Sequence, residues 1–207
     1  MRYDLHCHTK YSRCSNIQPI ELLKKAYEKK LDGIAVCDHN TMKGAFEAKK
    51  LNKNPKFEVI LAEEITTDKG EVLGLFLKQE IKPSNFEKVV EEIRKQKGIS
   101  IIAHPFSTGI SRKKAKIDFR TVDCIEAFNA RAIFNENTRA QRIADKLNIT
   151  KTAGSDAHFI WEIGNAYTVF EGNLRDALKS GKTNIKGKNT LALFNRVWSF
   201  LKWTLKF

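Results

Sequence analysis

Five histidines in the chain lie in short polar segments that follow apolar runs: His6, His8, His39, His104 and His158. The spacing of His6 with His8, and of Asp156 with His158, places both side chains of each pair on one face of an extended chain. Imidazoles combined with carboxylates are the ligands that proteins use for zinc, manganese and iron. The pattern therefore predicts a metal site assembled from separate segments of the chain.

The candidate ligands are more numerous than one ion needs. Seven side chains have the right type and placement: His6, His8, His39, Glu64, His104, Asp156 and His158. Cys14 and Glu126 are two further candidates. One zinc ion takes about four ligands, so this set suits two or three ions. Clusters of ions suit phosphoester hydrolysis, because one ion activates a hydroxide while others bind the phosphoryl and leaving oxygens.

Strand-like and helix-like segments alternate along the chain. Strands are predicted at 3–7, 33–37, 57–62, 71–77, 99–103, 122–128, 150–153 and 167–170, and helices at 20–30, 42–51, 83–97, 135–147 and 174–180. This alternation predicts a parallel α/β fold, either an open doubly wound sheet or a barrel. The carboxyl ends of such strands meet at one rim. Since each histidine is predicted to follow a strand, we expect all of them to lie together there.

The composition indicates a globular protein. The chain has 207 residues, 42% of them hydrophobic and 29% charged, which is enough for one large domain or two small ones. It contains no apolar stretch long enough to span a membrane and no secretion signal, so we expect a cytoplasmic location. The four cysteines are scattered, and we expect them to be reduced. The sequence lacks the glycine motifs of P-loop and Rossmann proteins and the G-x-S-x-G motif of serine hydrolases.

Five segments, taken in order, resemble the motifs of the PHP (polymerase and histidinol phosphatase) superfamily: Asp4-Leu5-His6-Cys7-His8-Thr9, Ala35-Val36-Cys37-Asp38-His39-Asn40-Thr41, Ala62-Glu63-Glu64-Ile65-Thr66, Ile102-Ala103-His104-Pro105 and Gly154-Ser155-Asp156-Ala157-His158. The resemblance covers about residues 1–180. It implies a distorted seven-stranded (β/α) TIM-like barrel with a cluster of up to three metals at the C-terminal rim of the strands, and metal-dependent phosphoesterase activity. We expect residues 1–188 to form this domain and residues 189–207 to form a tail.

The resemblance also implies roles for individual residues. One ion would be held by His6, His8, Glu64 and Asp156. A second would be held by Glu64 and His104, and a third by His39 and His158. The catalytic set would be His6, His8, Glu64, His104 and Asp156. Asp38 would orient a ligand from outside the cluster. Glu64 fits the family position better than Glu63, although the sequence alone does not choose between them.

The chain departs from the family pattern at two positions. Cys14 stands where many members have a histidine or aspartate ligand, and a thiolate suits zinc better than manganese. Glu126 stands where some members have a further histidine, and either Glu126 could act as a ligand or Asn129 could contact the substrate. Arg13 and Arg131 follow the predicted strands and could clamp phosphate oxygens.

The charge balance bears on the substrate. The net charge is +13, and residues 173–207 carry eight basic side chains against one acidic one. A basic chain favours anionic partners, and we expect nucleotide or oligonucleotide phosphates, as in the small stand-alone phosphoesterases of this family that act on nucleotides or trim RNA from its 5′ end. The alternatives are a small phosphate monoester such as histidinol phosphate, or a catalytically weak module that binds or scaffolds.

Two further basic segments have open interpretations. Residues 112–116 form either a solvated loop or a contact to a nucleic-acid backbone. Residues 191–207 are predicted to form a basic amphipathic helix. Such a helix could pack on its own barrel, lie at a membrane surface, which would make the protein peripheral, or dock a partner.

Overall fold

The computed structural model of the chain describes residues 1–107 and 117–190. Nine strands are present there: β1 (Arg2–Cys7), β2 (Gly33–Val36), β3 (Glu58–Thr66), β4 (Glu71–Leu75), β5 (Ile99–Ile102), β6 (Cys124–Asn129), β7 (Thr150–Gly154), β8 (Ala166–Phe170) and β9 (Thr183–Gly187). The helices are α1 (Pro19–Glu28), α2 (Lys43–Leu51), α3 (Phe86–Lys95), α4 (Glu136–Leu147) and α5 (Leu174–Ser180), with 3₁₀ turns at Phe119–Thr121 and Ile160–Glu162. The predicted tail helix at 191–207 and the basic run at 112–116 lie outside the described residues.

Local sequence accounts for these elements. β2 and β5 are short apolar runs buried along their whole length, as is typical of strands covered on both faces. α3 begins where the Asn85 side chain accepts a hydrogen bond from the Lys88 amide, a standard helix cap. The same helix buries Phe86, Val89 and Ile93 on one stripe, as expected for a helix that packs on a sheet. No helix in the described part of the chain is long and apolar enough to cross a membrane.

All nine strands form one sheet in the order β7-β6-β5-β4-β3-β2-β1-β8-β9. β1, β2 and β3 run parallel, as do β5, β6 and β7. β4 is antiparallel to both of its neighbours, and β8 is antiparallel to β1 and β9. The sheet is therefore mixed and has nine strands, whereas we expected seven and a parallel arrangement. β9 escaped prediction because its residues are half-buried or exposed, so it lacks a buried apolar pattern.

The sheet curls into a nearly closed barrel. The chain leaving β7 lies against the end of β1, where the Asp156 amide donates to the His6 carbonyl at 2.7 Å and the His8 amide donates to the Ala157 carbonyl at 3.0 Å. This contact requires a glycine at position 154, because a Cβ there would lie 2.4 Å from the Cβ of His6. The closure confirms the expected barrel class and brings the first and last histidine segments side by side.

An apolar core fills the inside of the barrel. It includes Leu5, Ile60, Leu73, Ile101 and, from α5, Leu178. α5 follows β8, whose end pairs with the chain start through the hydrogen bond from the Phe170 amide to the Met1 carbonyl. The helix therefore packs at the end of the barrel opposite the carboxyl end of β1. The core packs beneath the histidine-bearing end, where His6 and His8 are fully buried.

Candidate metal centre

The predicted ligands converge at one end of the barrel. His6 lies within β1 and His8 directly after it, while the other three histidines follow β2, β5 and β7. The rings of His39 and His158 lie 4.6 Å and 4.3 Å from that of His8, measured between centroids. The ring of His104 lies 5.6 Å from that of His6. β1 ends at Cys7 as predicted, so His6 and His8 lie at the end of this strand and the other three histidines follow theirs.

Glu64 is the central carboxylate of this cluster. Its Oε1 lies 3.1 Å from Nε2 of His104, and its Oε2 lies 3.0 Å from Nδ1 of His39. The same Oε2 lies 3.4 Å from Nε2 of both His6 and His8. The neighbouring Glu63 points to the other face of β3, where it accepts a hydrogen bond from the Ile81 amide at 2.9 Å. The alternation of side chains along a strand thus places Glu64 in the cluster and Glu63 outside it.

Asp156 completes the cluster from the β7 side. Its Oδ1 lies 3.2 Å from Nε2 of His8 and 3.4 Å from Nδ1 of His158. Its backbone has a φ of +53°, and that of His104 is +27°. Such conformations are costly for residues other than glycine and concentrate at functional sites. Here they turn both side chains toward the same point.

Glu126 contacts the cluster from behind. Its Oε1 lies 2.9 Å from Nδ1 of His6, and its Oε2 accepts from the His104 amide at 2.8 Å and from the Asn129 side chain at 3.0 Å. The Asn129 amide group also reaches Oδ2 of Asp156 at 3.2 Å. A carboxylate on the outer ring nitrogen fixes the tautomer and orientation of a histidine, so Nε2 of His6 is directed into the cluster.

Asp38 reaches His8 through a serine. It accepts hydrogen bonds from the Thr9 amide at 2.7 Å and from the Ser12 hydroxyl at 2.6 Å, and that hydroxyl lies 3.2 Å from Nδ1 of His8. The network needs the absence of a side chain at Gly44, since a Cβ there would lie 2.0 Å from Oδ2 of Asp38. Asp38 therefore orients the loop that carries His8 rather than touching the imidazole itself.

Glu71 is a residue that sequence reasoning missed. Its Oε1 lies 3.7 Å from Nδ1 of His39, and its Oε2 lies 3.7 Å from Nε2 of His104. Glu71 begins β4 and pairs with Thr66 across the hairpin. Since Thr66 and Glu64 are two residues apart on β3, all three share one face of the sheet. Predicting the register of the hairpin around residues 67–70 would have placed Glu71 on the same face as Glu64 and so identified it.

The remaining predicted residues occupy different surroundings. Cys14 is buried. Burial by itself would lower the pKa of His39, but the carboxylate of Glu64 raises it well above its usual value. Arg131 is buried, with Nε 3.5 Å from Oε1 of Glu162. Burial and the charge of Arg131 together hold the pKa of His158 well below its usual value. Arg13 is exposed on the loop after β1.

These residues fit a cluster of divalent ions. Within the described part of the chain, four sets of three side chains have ligand atoms within 4.8 Å of one another: His8 with His39 and His158; His6 with His8 and Glu64; His6 with His104 and Glu126; and His39 with Glu64 and Glu71. Oε2 of Glu64 is buried and makes no well-formed hydrogen bond with the described residues, although three imidazole nitrogens surround it. A buried carboxylate oxygen in that setting costs free energy unless a cation balances it.

The electrostatics agree with this interpretation. Burial by itself would lower the pKa of His6, but the carboxylates of Glu126 and Glu64 raise it well above its usual value. Burial would raise the pKa of Glu64, but His39 and His6 lower it well below its usual value. Glu64 thus stays ionised although it is buried. Imidazole and carboxylate donors of this kind suit zinc, manganese or iron.

Comparison with known proteins agrees with the site. The PHP domain family matches residues 4–104, and the PHP-associated family matches residues 134–183. An uncharacterized protein of Methanocaldococcus jannaschii is 38% identical over 180 residues, which span 82% of this chain and 70% of the relative. A 5′–3′ exoribonuclease of Haemophilus influenzae is 39% identical over 67 residues, covering 32% of this chain and 24% of that enzyme.

A solved structure shows the same fold. It is a two-domain protein of Bacteroides vulgatus described as containing a predicted PHP-like metal-dependent phosphoesterase. It superposes with a TM-score of 0.74 at 16% identity, covering 98% of this chain and 69% of the other. The ordered motifs, the barrel and the family matches lead to one conclusion: this chain belongs to the PHP family.

Proposed function

We propose that this protein is a metal-dependent phosphoesterase that hydrolyses nucleotide or oligonucleotide phosphates. The observation that carries the proposal is the position of Glu64, one carboxylate within 3.4 Å of four imidazoles from three strands and their loops. A carboxylate shared in this way suits a cluster of two or three ions. Ions bound there would supply Lewis-acid stabilisation of the phosphoryl oxygens and an activated water.

We assign the ligands by proximity. One group consists of His6, His8, Glu64 and Asp156, a second of Glu64 and His104, and a third of His39 and His158. Glu71 joins the second and third groups because it lies between His39 and His104. Glu126 acts as an orienting carboxylate rather than as a ligand, since both of its oxygens are engaged by His6, His104 and Asn129.

The neighbouring residues would position the phosphate. Arg131 is buried beside His158 and presents its charge at the edge of the cluster, where a guanidinium can bind phosphate oxygens. Asn129 has a different role from the substrate contact that the sequence suggested. Its amide donates to Glu126 and Asp156, and its oxygen accepts from the Arg131 amide. It therefore connects these groups instead of binding substrate.

The substrate class rests on charge and on one relative. The net charge of +13 favours polyanionic substrates. The relative from Haemophilus influenzae that shares 39% identity over 67 residues is a 5′–3′ exoribonuclease. We therefore propose that the phosphate ester belongs to a nucleotide or to an RNA end.

The test uses a 5′-labelled RNA oligonucleotide, added manganese, zinc or iron(II), and products resolved by size. We expect metal-dependent cleavage by the native protein, loss of cleavage in Glu64→Gln and His104→Ala, and retention in the matched neighbour Glu63→Gln. Product size separates phosphate release from nucleotide trimming. Hydrolysis of small monoesters alone, such as histidinol phosphate, would overturn the nucleotide assignment. Metal binding without hydrolysis of any of these esters would overturn the enzymatic proposal and indicate a binding module.

A further inference from the structure

Large apolar side chains are exposed mainly at the metal-bearing end of the barrel. Apart from Met1, the exposed ones among the described residues are Tyr11, Ile20, Phe46, Phe134 and Trp161. Each lies in a loop that follows one of the parallel strands or in the first turn of the helix after it. The carboxyl ends of those strands carry the ligand cluster. Apolar surface that clusters in this way marks a binding region.

Trp161 offers a flat, held surface beside the cluster. It lies three residues after His158, and its ring stacks on that of Phe159 with centroids 4.8 Å apart and an interplanar angle of 4°. Phe159 is buried, whereas Trp161 is 56% exposed. The loop is fixed by Glu162, whose carboxylate accepts from the His158 and Phe159 amides at 2.8 Å and 3.0 Å. Phe159 stacks on one face of the indole and holds it in place. The other face is then available to a second planar group.

Phe134 is exposed at a backbone position that does not favour it. Its side chain is 91% exposed, and its φ is +50°. The left-handed region is unfavourable for a bulky residue, and burial of the ring does not compensate for it here. Strain of this kind concentrates in loops that bind ligands.

The two aromatic loops are joined beside the cluster. Nε of Arg131, three residues before Phe134, lies 3.5 Å from Oε1 of Glu162, which directly follows Trp161. Both aromatic side chains therefore belong to loops on the His158 side of the ligand cluster, with the arginine between the loops.

We infer that Trp161 and Phe134 form a stacking platform for the nucleobase of the phosphate ester. The inference rests on the proposed function, because it takes the phosphate to lie at the cluster beside Arg131. A base is the planar, apolar part of such a substrate, and stacking on aromatic side chains tolerates every base. Lys10 and Arg13 are exposed on the loop after β1, so the surroundings also match the negative charge of the phosphate.

The test compares adenosine 5′-monophosphate with ribose 5-phosphate, which has the same phosphate and sugar but no base. Each is titrated into the full-length, metal-loaded protein, and released phosphate is assayed in the same samples. The affinity is the Kd where the ligand stays intact and the KM where it is hydrolysed. We expect Trp161→Ala and Phe134→Ala each to weaken the affinity for adenosine 5′-monophosphate about 5- to 30-fold. The affinity for ribose 5-phosphate should not change.

Three variants serve as controls. Trp161→Phe keeps a ring and is expected to restore most of the affinity, whereas Phe134→Gly relieves the strained backbone without a ring and is expected to behave like Phe134→Ala. Lys95→Ala changes an exposed side chain at the C-terminal end of α3 and is expected to leave the affinity for both ligands unchanged. Equal loss for both ligands, or no loss for either, would overturn the platform. Base-dependent binding, without phosphate release from adenosine 5′-monophosphate and without cleavage of the RNA oligonucleotide, would uphold the platform and contradict the proposed function.

Discussion

At the scale of single residues, Glu64 and Glu71 approach the same two histidines from two sides. Glu64 contacts His39 and His104 at 3.0 Å and 3.1 Å, and Glu71 lies 3.7 Å from each. Two carboxylates therefore bring two negative charges to one pair of imidazoles. Divalent ions between them would use both carboxylates.

We therefore predict that Glu71→Gln weakens metal binding. The amide keeps the shape of the side chain but removes a charge, so the affinity for manganese or zinc falls by roughly 10-fold. Chelator competition and elemental analysis measure the effect, and the melting temperature of the metal-free protein reports on the fold. The control is Glu87→Gln, which changes an exposed side chain on α3. Equal affinities in Glu71→Gln and the native protein would show that Glu71 lies near the ions without binding them.

Glu63 gives a prediction for pH. Burial raises its pKa to about 7 from an ordinary 4.5, so the folded protein holds a proton there that the unfolded chain releases. Stability from this group is therefore present below about pH 4.5 and is lost as the pH rises to about 7. In metal-free protein we expect Glu63→Gln to match the native free energy of unfolding at pH 4.5 and to exceed it by about 2 kcal/mol at pH 8.

Denaturant titrations at several pH values measure this difference, with Glu92→Gln on the surface of α3 as the control. A constant difference across the pH range would mean that Glu63 has the same pKa in the folded and unfolded states. The adjacent pair Glu63 and Glu64 thus shows the limit of sequence reasoning for single residues. Both types suit a metal site, and only the face of β3 on which each lies decides which one reaches it.

At the scale of elements, most strands and helices could be predicted because burial imposes a periodicity on the sequence. β2, β5 and the helices α2, α4 and α5 lie close to their predicted ranges. β3 was predicted to stop at residue 62 but runs to Thr66, because Glu63 and Glu64 interrupt the apolar pattern. The burial of Glu64 is compensated by groups far away in the sequence, such as His6 and His104, which no local pattern reveals.

The direction of each strand could not be predicted from the sequence pattern either. An antiparallel strand such as β4 has the same alternation of side chains as a parallel one, so its apolar residues do not specify its direction. The omission of Glu71 follows from this. In a parallel crossover its position would be far from Glu64, whereas the hairpin pairs it with Thr66 on the same face. The proposed ligands that follow β2, β5 and β7 were predictable because these strands all run in the same direction as β1, so their carboxyl ends lie at one end of the barrel.

At the scale of the whole molecule, the cluster links segments that are far apart in sequence. Its histidines range from position 6 to position 158, and the Asp156 amide bonds to the His6 carbonyl where the barrel closes. The unfolded chain cannot present these ligands together. Ions that bind the cluster therefore bind the folded state alone and stabilise the entire barrel by mass action.

We predict that manganese or zinc at about 100 times its Kd stabilises the protein by about 2.7 kcal/mol. For a chain of this size, that raises the melting temperature by roughly 5–10 °C. Calorimetry or circular dichroism across a metal series measures the shift, and added chelator should reverse it. Glu64→Gln should lose most of the shift and Glu63→Gln should keep it, since the two side chains lie on opposite faces of β3. An equal metal-induced shift in the melting temperatures of both variants would place the stabilising ion outside the cluster. Metal bound at the cluster would then not stabilise the closed barrel.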